Sequence, residues 1–324
     1  MIRSFGWQDL PTLYRYRHQG VFLNSALLAT RGADLIPGML SAGLHPATGL
    51  ITWVCKEDCD DQPLIGQTLH TGSLPSARIS FLAPKEGLDS PSIQKLLEQL
   101  AYQAGQRGAF HLLAEIETNS SIYEALRRAG FASYIRQRIW QWDRISKRPA
   151  RQNGWKKAHL GDLPRLQSLY RQVAPEFISQ IEPLTSGTFL PCLVYSDGSK
   201  LISFAEIRYG GHGIWVKPTI QPDLENVDQL LADLIQDIPD RRSRPLYFCV
   251  RAYQARLEPA LEDMGGIPSP EQTVMVKHMA AQQKVRETFK LPNLERQPET
   301  PLAHTHRNAY SSGEHISHAS AKNH

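Results

Sequence analysis

The alternation of apolar and polar positions is most legible between Phe110 and Phe131. Phe110 to Glu117 is short and largely apolar, which predicts a strand. Thr118-Asn119-Ser120 is a polar break, and Ser120 or Ser121 is placed to cap a following helix through its side-chain oxygen. Ile122, Leu126 and Ala129 then recur at helical spacing. Gly130 ends the helix, because glycine takes the left-handed conformation without a Cβ penalty, and Phe131 leads into another strand. The unit is therefore strand, capped turn, short amphipathic helix, strand.

Similar patterning runs along the chain on both sides. Met1 to Trp7 predicts a short strand, and Asp9-Leu10-Pro11 opens a helix. Residues 20 to 46 are mixed, punctuated by Gly32, Pro37, Gly38 and Gly43. Leu50 to Cys55 and Leu64 to His70 read as hairpin strands joined by an acidic turn, Glu57 to Gln62. Ala77 to Ala83 is a third strand stopped by Pro84. Ser92 to Gly105 is a helix with Ile93, Leu96, Leu97, Leu100 and Ala104 on one face, and Tyr134 to Trp142 is a last strand.

The order then begins again. Gln8-Asp9-Leu10-Pro11-Thr12-Leu13 is echoed by Gly161-Asp162-Leu163-Pro164-Arg165-Leu166. The helix from Ser92 to Leu100 is echoed by Asn226 to Leu234, and Ala125-Leu126 with Gly130 by Ala260-Leu261 with Gly265. Three echoes in one order predict an internal duplication whose repeat is a whole domain. The expected division is residues 1–145, a linker at 146–151, a second domain at 152–282, and a tail at 283–324. From about Lys290 large apolar residues nearly vanish, so the tail is expected to be disordered and dispensable, its histidines solvated.

Composition narrows the class. The chain has 324 residues, with 41% hydrophobic and 21% charged, enough for two ordinary cores. It shows neither a signal-peptide core nor an apolar run of membrane-spanning length, so a cytoplasmic protein without a membrane partner is expected. A formal charge of +4 with no basic stripe argues against nucleic acid. Trp140, Trp142 and Trp155 are expected in packing rather than in base stacking. Cys55, Cys59, Cys192 and Cys249 lack zinc-site spacing, so reduced structural thiols and no metal are expected.

The segment from Asn119 through Tyr123 to Gly130-Phe131 resembles the GCN5-related N-acetyltransferases. In that family an asparagine after a strand precedes a helix that holds a tyrosine and ends in Gly-Phe. The strand at Ala77–Ala83, the loop after it and the helix with Leu96-Leu97 resemble the family's acyl-CoA segment. The resemblance spans residues 1 to about 280. It implies an α/β fold of two tandem acetyltransferase-like domains, each a mixed sheet flanked by helices. The strands near 77–83 and 110–117 would be parallel neighbours, as would those near 212–217 and 245–250. It further implies acetyl-CoA as co-substrate and a small-molecule or peptide amine as acceptor. Main-chain groups of Phe81, Leu82 and Ala83 would pair with the pantetheine arm, and Asn119 would contact the cofactor. Tyr123 would act as general acid toward the CoA thiolate, and Glu115 or Glu117 would take the amine proton.

The match fails at the pyrophosphate loop. The family places glycines there so that backbone N–H groups cradle phosphate. Here the loop is Leu88-Asp89-Ser90-Pro91-Ser92-Ile93, in which Pro91 removes a donor and only Ser90 and Ser92, with Lys85 nearby, can compensate. In the second half Asp223, Glu225 and Asp228 face the same place, Gln254 stands where Asn119 stands, and Glu258 where Tyr123 stands. Three acids stabilise a helix N-terminus and repel phosphate. The second half is therefore expected to be non-catalytic. The first is expected to be an N-acetyltransferase site, with a catalytically inactive scaffold or binding protein as the alternative.

Overall fold

The computed structural model describes residues 1–36, 49–56, 62–72, 74–143, 154–185, 191–198 and 200–279. Most of the expected acidic turn, Cys59, the linker at 146–151 and the tail lie outside the described residues. The first half runs β1 (Ile2–Ser4), α1 (Leu10–Tyr16), β2 (Val21–Phe22), α2 (Ser25–Arg31), β3 (Leu50–Cys55), β4 (Leu64–Leu69), β5 (Ser76–Ala83), α3 (Ser92–Gln106), β6 (His111–Glu117), α4 (Ile122–Arg128) and β7 (Ala132–Trp142). The second runs β8 (Lys156–Lys157), α5 (Leu163–Val173), α6 (Glu176–Ile181), β9 (Cys192–Asp197), β10 (Lys200–Tyr209), β11 (Ile214–Ile220), α7 (Val227–Asp237), β12 (Leu246–Arg251), α8 (Glu258–Asp263), β13 (Ile267–Pro268) and β14 (Gln272–His278).

The repeated order reappears in detail. Each half enters its first helix through a single helical turn whose Asp carboxylate reaches back to the residue before the turn: Gly6 N donates to Asp9 Oδ2 and His159 N to Asp162 Oδ2, both at 2.9 Å. One expected cap is absent. Ser121 has helical backbone (φ −59°, ψ −30°) and makes no side-chain bond to α4, whereas a capping residue needs an extended backbone to reach back.

All strands join one mixed sheet, with the main path β1-β3-β4-β5-β6-β14-β7-β12-β11-β10-β9-β8. β5 and β6 are parallel, as are β11 and β12, each pair linked by a helix as a parallel crossover requires. The last strands are exchanged. β7, from the first half, pairs with β12 from Gln137–Arg251 to Trp142–Leu246. β14, from the second, lies between β6 and β7, pairing with both. The sequence boundary near residue 145 is therefore not a boundary of the sheet.

One side of the sheet carries α3 and α4 over β5 and β6, where Ile79, Leu82, Leu97, Leu112, Ala114, Ile116 and Leu126 form one core. A matching core under α7 and α8 includes Trp140, Trp142 and Trp155, so these rings pack as expected. The opposite side is crossed over. Ala26 and Ala29 of α2 pack on Ile139, Trp215 and Cys249, while Ile181 of α6 packs on Leu113 and Val276. The β10–β11 turn is glycine-built for this docking, since a Cβ on Gly210 would meet Thr30 O at 2.1 Å. Cys55, Cys192 and Cys249 are buried and in no disulfide, and burial pushes the last two thiols up to about 12.

Candidate functional site

Two features of the sheet bear on function: the clefts where the parallel strands part, and a polar cavity at the seam between the halves. β5 and β6 pair only over Ser76–Arg78 and His111–Leu113 and then diverge. The chain itself enters the gap. Val21 and Phe22 pair with Leu82 and Phe81. Leu23 N donates to Ser80 O at 3.0 Å, and Glu115 N donates to Leu23 O at 2.9 Å. Leu23 thus joins both walls of the cleft. The other edge of β5 is taken by β4, and Phe81, Leu82 and Ala83 are buried.

β11 and β12 part in the same way, after Val216 and Phe248. There a side chain spans the edge. Gln254 Nε2 donates to Pro218 O and Ile220 N donates to Gln254 Oε1, both at 2.8 Å. Arg256 Nη2 donates to Ile220 O and Gln221 O at 3.3 and 2.5 Å. Gln254 is 2% exposed, so this is a dry replacement for strand pairing rather than a surface contact.

The cavity lies on the face of the sheet opposite α3 and α4, is open to solvent on one side, and has a volume of about 90 Å³. Asn24, Ser76, Arg78 and Glu115 line it from the first half; Tyr170, Glu182, Glu206, Arg208, Lys217, Cys249 and Arg251 line it from the second. Glu182 is the hub. It accepts from Arg78, from the Tyr134 hydroxyl, and from Arg251 Nη2 at 3.1 and 3.2 Å. Arg78 Nη1 also reaches Glu115 Oε1 at 2.6 Å, and Ser25 N donates to Glu115 Oε2 at 2.8 Å. Lys217 stands 3.5 Å from Glu206.

Burial here works against every charge, so the pairings decide the protonation states. Burial raises the Glu182 and Glu115 pKa values, but for Glu182 the Arg251 and Arg78 guanidiniums outweigh it, as do Arg78, Arg251 and the Ser25 amide for Glu115. Both carboxyls end below their ordinary value. Burial beside the Glu182 carboxylate raises the Tyr134 phenol. Arg208 differs: burial and the neighbouring Arg78 charge lower its pKa, against Glu206, Glu115 and Glu182.

No family model matches the chain, and no curated protein matches it. Solved structures do. A GCN5-related N-acetyltransferase from Sphaerobacter thermophilus superposes with a TM-score of 0.53 at 13% identity, covering 86% of this chain and 95% of that one. An acetyltransferase-type protein of Pyrococcus horikoshii gives 0.50 at 12%, covering 88% and 91%. This chain has the GCN5-related N-acetyltransferase fold.

Within that fold the sequence-derived site residues scatter. Asn119 and Glu117 are exposed at the end of β6. Tyr123 packs against the core under α3 and α4, and its hydroxyl lies 3.2 Å from Ser133 Oγ. Glu115 alternates with Ala114 and Ile116, so it points to the other face, into the cavity. The expected acid and the first of the expected bases thus stand on opposite sides of the sheet, and Glu115 is held ionised by Arg78. The Ser90 and Ser92 hydroxyls are buried without partners. The edge of β5 at Ser80, Phe81 and Leu82, where a pantetheine arm is expected from the sequence, is already paired with Val21–Leu23. Glu258 at the start of α8 is tied to Arg138 at 2.5 Å.

Sequence reasoning missed Glu182, Arg78, Arg208, Lys217 and Arg251. For Arg78, Lys217 and Arg251 the signal was a charge within or at the end of an otherwise apolar strand, as in Ala77-Arg78-Ile79 and Val216-Lys217-Pro218. Such a residue is buried only if it is paired. Among the described residues no group of three or more His, Cys, Asp or Glu could hold a metal, and no helix is long and apolar enough to cross a membrane.

Proposed function

We propose that this chain is an acetyltransferase-fold binding protein that does not transfer acyl groups, and that its working site is the cavity at the seam. The observation that carries this reading is Leu23, whose backbone bonds to both β5 and β6 where an acyl-CoA arm would have to lie. Gln254 occupies the corresponding edge of the second half. The stretch Leu88–Pro91 before α3, which holds no glycine, and the acids at the start of α7 supply no phosphate cradle in either half.

A second reading is acetyl transfer from acetyl-CoA to a small-molecule or peptide amine, with Tyr123 as acid, Glu117 as base and Asn119 at the cofactor. It is favoured by the exposure of Asn119 and Glu117 at the open end of β6. It requires Val21–Leu23 to leave the cleft.

Calorimetric titration of acetyl-CoA into the full chain separates the two. No saturable heat is expected up to millimolar cofactor. Stoichiometric binding in the micromolar range, with acetylation of an amine that Tyr123→Phe abolishes, would establish the second reading instead.

A further inference from the structure

The seam cavity holds one cation too many. Arg78, Arg208, Lys217 and Arg251 line it against Glu115, Glu182 and Glu206. The hydrogen bonds show where the surplus lies. Arg78 is shared between Glu115 and Glu182, and Lys217 is matched to Glu206. Arg251 uses only Nη2, while its Nε and Nη1 are buried with no partner among the described residues, the residue being 3% exposed. The Arg208 side chain has no hydrogen bond or ion pair among the described residues. Asn24 spends Oδ1 on Leu27 N, and its Nδ2 is buried without an acceptor.

What is missing is therefore an acceptor, with one negative charge, in a small space. A buried guanidinium left with unmatched N–H groups is costly, and a bidentate carboxylate answers its fork geometry. A carboxylate is a planar monoanion throughout the neutral range, whereas phosphate is there a tetrahedral ion that is partly dianionic and in that form overshoots the surplus charge. A volume of about 90 Å³ is several times the roughly 10–15 Å³ that one water needs, so the cavity has room for a carboxylate of a few carbons.

We propose that the cavity binds a small monocarboxylate, which accepts from the free donors of Arg251 and Asn24 while Arg208 supplies the balancing charge. The inference rests on the proposed role only in taking the cavity as the working site. Acetyl-CoA titration decides that role, and the response to acetate decides the ligand class.

The test is thermal unfolding of the full chain with sodium acetate or sodium propionate, against sodium chloride and sodium phosphate at matched ionic strength. A native-state ligand raises the melting temperature by mass action, so the two carboxylates should give a saturating rise of roughly 2–5 °C that chloride and phosphate do not. Arg208→Met should raise the melting temperature in carboxylate-free buffer, because it removes a half-buried charge that no ion pair answers, and should lose the response to acetate. Equal responses to all four salts, an acetate response that survives in Arg208→Met, or a lower melting temperature of that variant in carboxylate-free buffer would each overturn the proposal. The last would mean that the protein itself already neutralises Arg208.

Discussion

Glu182 takes donors from three elements at once: Arg78 on β5, Tyr134 on β7 and Arg251 on β12. Breaking a buried ion pair by removing one partner leaves the other charge stranded, at a typical cost of about 3–5 kcal/mol. Glu182→Gln is therefore expected to lower unfolding stability by that order near neutral pH, as read by chemical denaturation. The pH dependence should change as well. Both Glu182 and Glu115 titrate below the ordinary value of 4.5, so the stability they contribute is present above that pH and is lost as pH falls toward their folded-state values. The variant should show a shallower loss on the acid side, and an unchanged acid limb would count against the hub. None of this was readable from Glu182 itself. It sits in Ile181-Glu182-Pro183, an unremarkable segment after a short helix, and its partners lie far away in sequence.

At the level of elements the sequence was most informative where a period repeats for several turns. The helix at Ser92 and the strands at Leu50, Leu64 and Ala77 fall within a residue or two of their expected bounds. The parallel pairs followed from strand–helix–strand order, since antiparallel neighbours need no crossover. What fills the clefts was not legible. β2 has two residues in a stretch read as mixed, too short for any period, and its pairing depends on where β5 and β6 part. Gln254 was aligned with Asn119, but its bonds to Pro218 and Ile220 needed the backbone. Gln254→Ala would leave a buried carbonyl and a buried amide without partners, each costing about 1–3 kcal/mol. A loss of that order in denaturant unfolding is expected. A neutral substitution would mean that the second cleft is open to water or to a ligand.

At the scale of the molecule the duplication was legible, because Asp-Leu-Pro, the Leu-Leu helices and the Ala-Leu…Gly segments recur in one order. The strand exchange was not: β7 and β14 look alike to either sheet, and nothing local states which one each joins. It follows that each half lacks its own last strand. A chain ending before β14 leaves β6 without an antiparallel neighbour and uncovers a long edge. Truncation after residue 265 should therefore abolish cooperative unfolding of the whole chain, including the first half. A truncated chain that keeps the full-length melting transition would show that the exchanged strand is dispensable.

The central claim is that the chain's own residues hold the cofactor clefts. Hydrogen–deuterium exchange across residues 19–25, 80–83 and 112–118, with and without saturating acetyl-CoA, tests it most directly, because amides in strand pairing exchange only when the pairing opens. Slow exchange of all three segments, unchanged by the cofactor, is the expected result. Loss of protection at 19–25 together with a gain at 80–83 when acetyl-CoA is added would contradict it, for that is the pattern of a segment leaving the cleft and a pantetheine arm taking its place.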